Sequence, residues 1–188
     1  MKQVYLDWAA TSPPYPAAIK KMHETSLELY GNPSSLHEEG KRAREALENY
    51  RERCAALLGC ETKQITFTSG ASEANTLVLT SLLQRKRDRH LCISSIEHAS
   101  VEYQARVLES LRIPVDRIPL SIGKASNEAE VTLSSEQIAS FMNRHTAMVS
   151  IMTVNNETGA IMPIPMVRRV IDEAAEHHGK PIHFHSDI

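Results

Sequence analysis

The stretch whose residue types and spacing suggest chemistry is Thr68-Ser69-Gly70-Ala71-Ser72-Glu73-Ala74-Asn75, which follows the apolar run Gln64-Ile65-Thr66-Phe67 and opens a helix-like segment from Thr76 to Leu83. It reads as strand, small-residue turn and helix start. Such a junction turns unpaired backbone N–H groups and the positive end of a helix dipole toward one point, where a phosphate is stabilised without a cationic side chain. Ser69 and Ser72 add hydroxyl donors, and Gly70 and Ala71 leave the backbone bare enough for close approach. On the octet alone an ordinary strand-to-helix turn capped by Ser69 competes with this reading. Three more polar groups share a placement just after an apolar run: Glu97-His98, Asn155-Asn156-Glu157 and His185-Ser186-Asp187. Singly, each has a bland explanation, since a lone His98 is often just an exposed histidine and Asn155-Asn156 can simply shape a turn.

The elements that must position these groups follow from the pattern. A turn-rich arm from Tyr5 to Pro16 leads into a helix running to about Tyr30. Gly31-Asn32-Pro33-Ser34-Ser35 breaks it, with Ser35 the expected cap of a long second helix. On that helix Ala43, Ala46, Leu47, Tyr50, Cys54, Leu57 and Leu58 form an apolar stripe, and Gly59 sits at the stop position. Beyond residue 63, strands expected at Ile65–Phe67, His90–Ser94, Val115–Ile118, Ala147–Met152 and Pro181–His185 alternate with helices over 70–84, 100–111, Ser134–Asn143 and Pro163–His178. Ser121 to Glu130 reads as a polar loop. This alternation predicts an α/β fold, a mostly parallel sheet with helices on both faces. In such sheets ligands sit beyond the carboxyl ends of the strands, which is where the four polar groups fall.

Composition narrows the function further. The 188 residues are 41% hydrophobic and 23% charged, enough for one domain with a sizeable core. A formal net charge of -2 gives no basic field for nucleic acid. No apolar run is long enough to span a bilayer, and Met1 to Asp7 lacks the apolar core of a signal peptide, so a cytoplasmic protein without a membrane partner is expected. Cys54, Cys60 and Cys92 have no metal-type spacing and read as packing residues. Lys180, after the last helix, reads as a solvated helix-end charge.

Taken in order, these motifs resemble the cysteine desulfurases of the class V aminotransferase superfamily, which use pyridoxal 5'-phosphate in the type I fold. Tyr5-Leu6-Asp7-Trp8-Ala9-Ala10-Thr11 resembles the family's opening signature, and Gly31-Asn32-Pro33-Ser34-Ser35-Leu36-His37 its next one. Phe67 to Asn75 is similar to the family's phosphate turn, with Ser72 where threonine is usual. Glu97-His98, Val149 to Gly159 and His185-Ser186-Asp187 follow in the family's order.

The resemblance implies that Ala71 and Ser72 bind the cofactor phosphate and that Asp187 pairs with the pyridine nitrogen. It also implies that His98 stacks on the ring and exchanges protons, that Asn156 bonds the ring hydroxyl oxygen or the substrate, and that His185 supports Asp187. L-cysteine is the implied substrate, yielding L-alanine with sulfur passed to an enzyme cysteine and on to an acceptor protein, either an iron–sulfur cluster assembly scaffold or a tRNA-thiolation partner. A homodimer is also implied. The family's cofactor-tethering lysine and persulfide cysteine match no position here. The chain therefore reads as an amino-terminal portion: an arm and helix over residues 1–35, then a large cofactor domain over 36–188, incomplete at its carboxyl end. Such a portion is expected to be inactive alone and to leave apolar faces and sheet edges uncovered. Another class V activity, an aminotransferase or a selenocysteine lyase, and a non-catalytic interaction module are the alternatives.

Overall fold

The computed structural model describes residues 4–125 and 128–188. They form two compact units, Met1–Phe67 and Thr68–Ile188. The first holds helices α1 (Pro16–Glu28) and α2 (Glu38–Leu58). Proline at the start of α1 supplies a pre-set φ where the helix needs no donor. The cap of α2 is His37 rather than the expected Ser35: the His37 ring accepts from the Gly40 amide at 3.3 Å. Ser35 instead offers its carbonyl to Arg44 Nη2 at 2.9 Å, while Arg44 Nε reaches the Pro33 carbonyl at 2.7 Å. Gly59 ends α2 at φ 67°, the left-handed conformation that favours glycine. Of the expected α2 stripe only Ala43 is fully buried, whereas Leu57 and Leu58 are 87% and 69% exposed. Cys60 is also exposed, against its reading as a packing residue, and Cys54 is half-buried.

Ile65–Phe67 is not a strand. The segment leaves a 3-10 turn at Thr62–Gln64 in extended conformation, but its backbone is engaged by α2, with Arg51 Nη1 donating to the Ile65 carbonyl at 2.8 Å and the same guanidinium 4.9 Å from the Phe67 ring centroid. Extended propensity is satisfied there without a ladder.

The second unit is the expected α/β fold. Strands β1 (His90–Ser94), β2 (Val115–Ile118), β5 (Thr146–Ser150) and β6 (His183–His185) form one all-parallel sheet in the order β2-β1-β5-β6. Helices α3 (Ala71–Thr80) and α4 (Ala99–Ser110) supply Leu79, Val101, Ala105 and Leu108 to a core with Leu91, Ile93 and Met148. Helices α5 (Ser135–Phe141) and α6 (Ile164–His178) supply Ile138, Val167 and Ile171 to a second core with Cys92 and Val149. Alternate residues of β1 thus serve opposite faces, as the pleat requires. Cys92 is a packing residue as expected, with burial pushing its thiol up to about 12. Ile93 is 0% exposed. Ile93→Ala is expected to cost about 2–5 kcal/mol through lost burial and a cavity, read by chemical denaturation.

The polar segment from Ser121 is a hairpin, not a loop: β3 (Ser121–Ala125) pairs antiparallel with β4 (Glu128–Thr132). Its few apolar residues hide the strand pattern, and cross-strand pairing supplies what the period does not. Ser126 and Asn127, within that expected loop, lie outside the described residues. Lys180 is not solvated either: its side chain is 18% exposed and Nζ forms an ion pair with Asp88 Oδ2 at 3.3 Å.

Candidate cofactor site

Three of the four polar groups are carried past the carboxyl end of the sheet. Beyond the β5–β6 ladder the chains stay paired, Ile151 N–H to the His185 carbonyl at 3.1 Å and Thr153 N–H to the Asp187 carbonyl at 2.9 Å. Ser186 Oγ donates to the Ile151 carbonyl at 2.7 Å and sits 2.9 Å from Thr153 Oγ1. These bonds fix Asp187 beside the end of β5. His98 caps α4 through its Nδ1, one turn after β1. The segment after β5 folds back on itself, with Asn155 N–H to the Ala160 carbonyl at 2.9 Å and Gly159 at φ 74° making the turn.

The two asparagines of that segment divide their work. Asn155 is buried and shapes the turn, its Oδ1 accepting from the amides of Glu157 at 3.2 Å and Thr158 at 2.8 Å, while Nδ2 donates to the Ile96 carbonyl at 2.9 Å. Asn156 is exposed and lines the adjacent space.

One cavity of about 170 Å³ is lined by Ala71, His98, Asn156 and Asp187 together with Met152, Val154 and Ile188. Four of the five residues singled out in the sequence therefore line one cavity. Ser72 does not line it and lies next along α3. A neighbouring cavity of about 330 Å³ also uses His98 and Asn156. At the start of α3, Gly70 is the N-cap, in extended conformation and without a side-chain cap, so Ser69 does not act as one. The Glu73 and Ala74 amides bond back to the Gly70 carbonyl, and the Ser69 amide donates to Glu73 Oε2 at 2.6 Å. That bond holds the Glu73 carboxyl below the usual range. Among the described residues the Ala71 and Ser72 amides have no acceptor, and a Cβ built on Gly70 meets nothing within 4 Å. Two free donors, the positive end of a helix and open space suit a phosphate. The Asp187 carboxylate lining the same cavity suits a protonated ring nitrogen, so the donor set fits pyridoxal phosphate.

The structure adds residues to which the sequence reading gave no role. Asn75, 2% exposed, places its Nδ2 2.9 Å from both Asp187 Oδ2 and Ser100 Oγ. Ser100 Oγ is in turn 2.8 Å from His98 Nδ1. Glu97 accepts from Ser94 Oγ at 2.5 Å, the Met152 amide at 2.8 Å and Ser150 Oγ at 3.4 Å. Burial, and next to it the charge of Asp187, pushes its carboxyl above the usual range. His185, the last residue of β6, to which the resemblance gave the role of supporting Asp187, has its Nδ1 2.9 Å from Ser150 Oγ, and burial holds it below the usual imidazole range. The available signal was the polar residues flanking strand ends, Ser94, Ser150 and Glu97; Asn75 and Ser100 meet only through the fold.

The chain belongs to the class V aminotransferase family, whose model, Aminotransferase class-V, matches residues 4–178. Among its relatives is the putative cysteine desulfurase NifS of Bacillus subtilis, 36% identical over 98% of this chain and 44% of that protein. Bovine selenocysteine lyase is 32% identical over 89% of this chain and 42% of that protein. The solved structure of SspA in complex with cysteine superposes with a TM-score of 0.79 at 32% identity, covering 98% of this chain and 50% of that one. The chain thus spans about half the length of the relatives it matches.

Proposed function

We propose that the chain carries the pyridoxal-phosphate half-site of a cysteine desulfurase, a cytoplasmic homodimeric enzyme that takes sulfur from L-cysteine and hands it to an acceptor protein. The observation that carries this reading is the single cavity shared by Ala71, His98, Asn156 and Asp187 beside the free amides of α3. Ala71 and Ser72 would hold the phosphate with backbone donors, Ser72 adding its hydroxyl. Asp187 would face the ring nitrogen and keep it protonated, with Asn75 fixing the carboxylate. His98 and Asn156, which line the same cavity, would face the ring and the substrate. When bound, the cofactor supplies an electron sink for the substrate carbon as that carbon loses its proton. No lysine or cysteine lines the cavity among the described residues. Weak, reversible binding without turnover is therefore expected of the 188-residue chain alone.

A titration with pyridoxal phosphate followed by its visible absorbance tests this. Saturable binding is expected, and Asp187→Ala should weaken it about tenfold or more, or ~1.4 kcal/mol. Absence of saturation, or equal affinity in the variant, overturns the reading. The likeness to selenocysteine lyase supports a second reading with the same half-site and a selenium substrate. Competition of L-cysteine and selenocysteine for the cofactor-loaded site separates the two.

A further inference from the structure

We propose that Ser100 and Asn75 are positioning residues that hold neutral His98 as the Nε2–H tautomer, so that the nitrogen left for the cavity is a hydrogen-bond donor. The Ser100 backbone amide lies 3.2 Å from His98 Nδ1 and can only donate, which favours a lone pair there without by itself holding the ring in one tautomer. Asp187 Oδ2, as a carboxylate oxygen, can only accept, which fixes the Asn75 amide with its NH2 toward it at 2.9 Å. The second hydrogen of that NH2 goes to Ser100 Oγ, also at 2.9 Å. Ser100 Oγ accepts from Asn75 on one side, and donation of its own hydrogen to His98 Nδ1 at 2.8 Å agrees with the lone pair that the Ser100 amide favours on that nitrogen. Both donors from residue 100 therefore converge on one ring nitrogen.

The chain of bonds begins on a side chain that cannot reorient freely, since Asn75 is 2% exposed within α3. It ends on a histidine whose Nε2 makes no hydrogen bond among the described residues and whose ring lines the cavity with Ala71, Asn156 and Asp187. Neutral His98 then meets an acceptor atom, such as a ligand oxygen, and disfavours an N–H donor. Through Ser100 the same amide links His98 to the Asp187 carboxylate, so these two cavity-lining groups are oriented together. The consequence for a bound cofactor rests on the function proposed above; the tautomer does not.

Long-range proton–nitrogen NMR of the 188-residue chain at about pH 8.5, above the ordinary imidazole range, reads the tautomer directly. His98 Nδ1 is expected at the low-field position of an unprotonated nitrogen and Nε2 at the high-field position of a protonated one. Ser100→Ala removes the shorter hydroxyl bond and leaves only the backbone amide on Nδ1, so the two resonances should move toward each other as the second tautomer gains population, and Ser100→Thr, which keeps the hydroxyl, should restore the separation. Asn75→Ala should give a smaller loss in the same direction. The reverse pattern in the parent chain, or unchanged separation in Ser100→Ala, overturns the proposal. Addition of pyridoxal phosphate to the same samples distinguishes the two ideas. Failure to bind removes the cofactor reading and leaves the tautomer standing; binding with His98 in the Nδ1–H form does the opposite.

Discussion

Glu97→Ala is expected to destabilise the second unit strongly, while Glu97→Gln should leave it nearly as stable as the parent and change its response to pH. The carboxylate gathers the Ser94 hydroxyl from the end of β1, the Ser150 hydroxyl from the end of β5 and the Met152 amide beyond it. Alanine leaves these donors without their acceptor, at about 1–3 kcal/mol for each buried group that water cannot reach. Glutamine keeps an oxygen for Ser94 and Met152 and offers Ser150 an N–H instead.

The pH response follows from the direction of the shifts. The native state holds the Glu97 proton more tightly than the unfolded chain does, because burial raises its carboxyl. That contribution is complete below the ordinary carboxylate range and is lost as pH rises through the raised value. His90 and His185 are held low by burial and stay neutral in the native state. Their contribution is complete above the ordinary imidazole range and is lost as pH falls through the lowered values. Denaturation midpoints between about pH 4 and pH 8 should therefore show losses from both sides in the parent. Only the loss on the acid side should remain in Glu97→Gln. A parent and variant with superimposable profiles would remove Glu97 as the group responsible.

Gly40→Ala is the second change with a large expected effect, confined to the first unit. A Cβ at Gly40 would meet Ser35 Cβ and the Ser35 carbonyl oxygen at 2.7 Å and the Asn32 carbonyl oxygen at 2.8 Å. Two of the three neighbours are backbone atoms of the turn that Arg44 clamps, so neither can rotate away. Overpacking of this kind costs about 1–3 kcal/mol, outweighing the fraction of a kcal/mol by which alanine is the better helix former. Gly31 is tight in the same way against the Glu39 carbonyl. Urea denaturation that showed Gly40→Ala as stable as the parent would mean the turn can lift off α2 without cost.

Legibility in the sequence tracked how local each cause is. The parallel α/β alternation was readable because each strand and helix declares itself within ten residues or so, through short apolar runs separated by helix-length segments. The Ser121–Thr132 hairpin was not, because its pairing depends on cross-strand contact rather than on an apolar period. Ile65–Phe67 had the composition of a strand, and Arg51 took up its backbone instead. His37 displaced Ser35 as the cap of α2 because Arg44 claims the backbone of the preceding turn.

The site divides in the same way. By itself the sequence determined that His98, Asn156 and Asp187 follow strands in an α/β order, and topology then requires these three to gather at one end of the sheet, whereas Ala71 follows an apolar run that is not a strand and only the fold brings it to them. Only the tertiary structure decided that Asn155 builds the turn while Asn156 faces the cavity, that Glu97 ties two strand ends together, and that Asn75 joins Asp187 to Ser100. The physical reason is range. Hydrophobic periodicity and caps act between neighbours in the chain, whereas the partner of Asn75 lies 112 positions away and that of Glu97 55 positions away, distances over which side-chain pairing leaves no mark in one sequence.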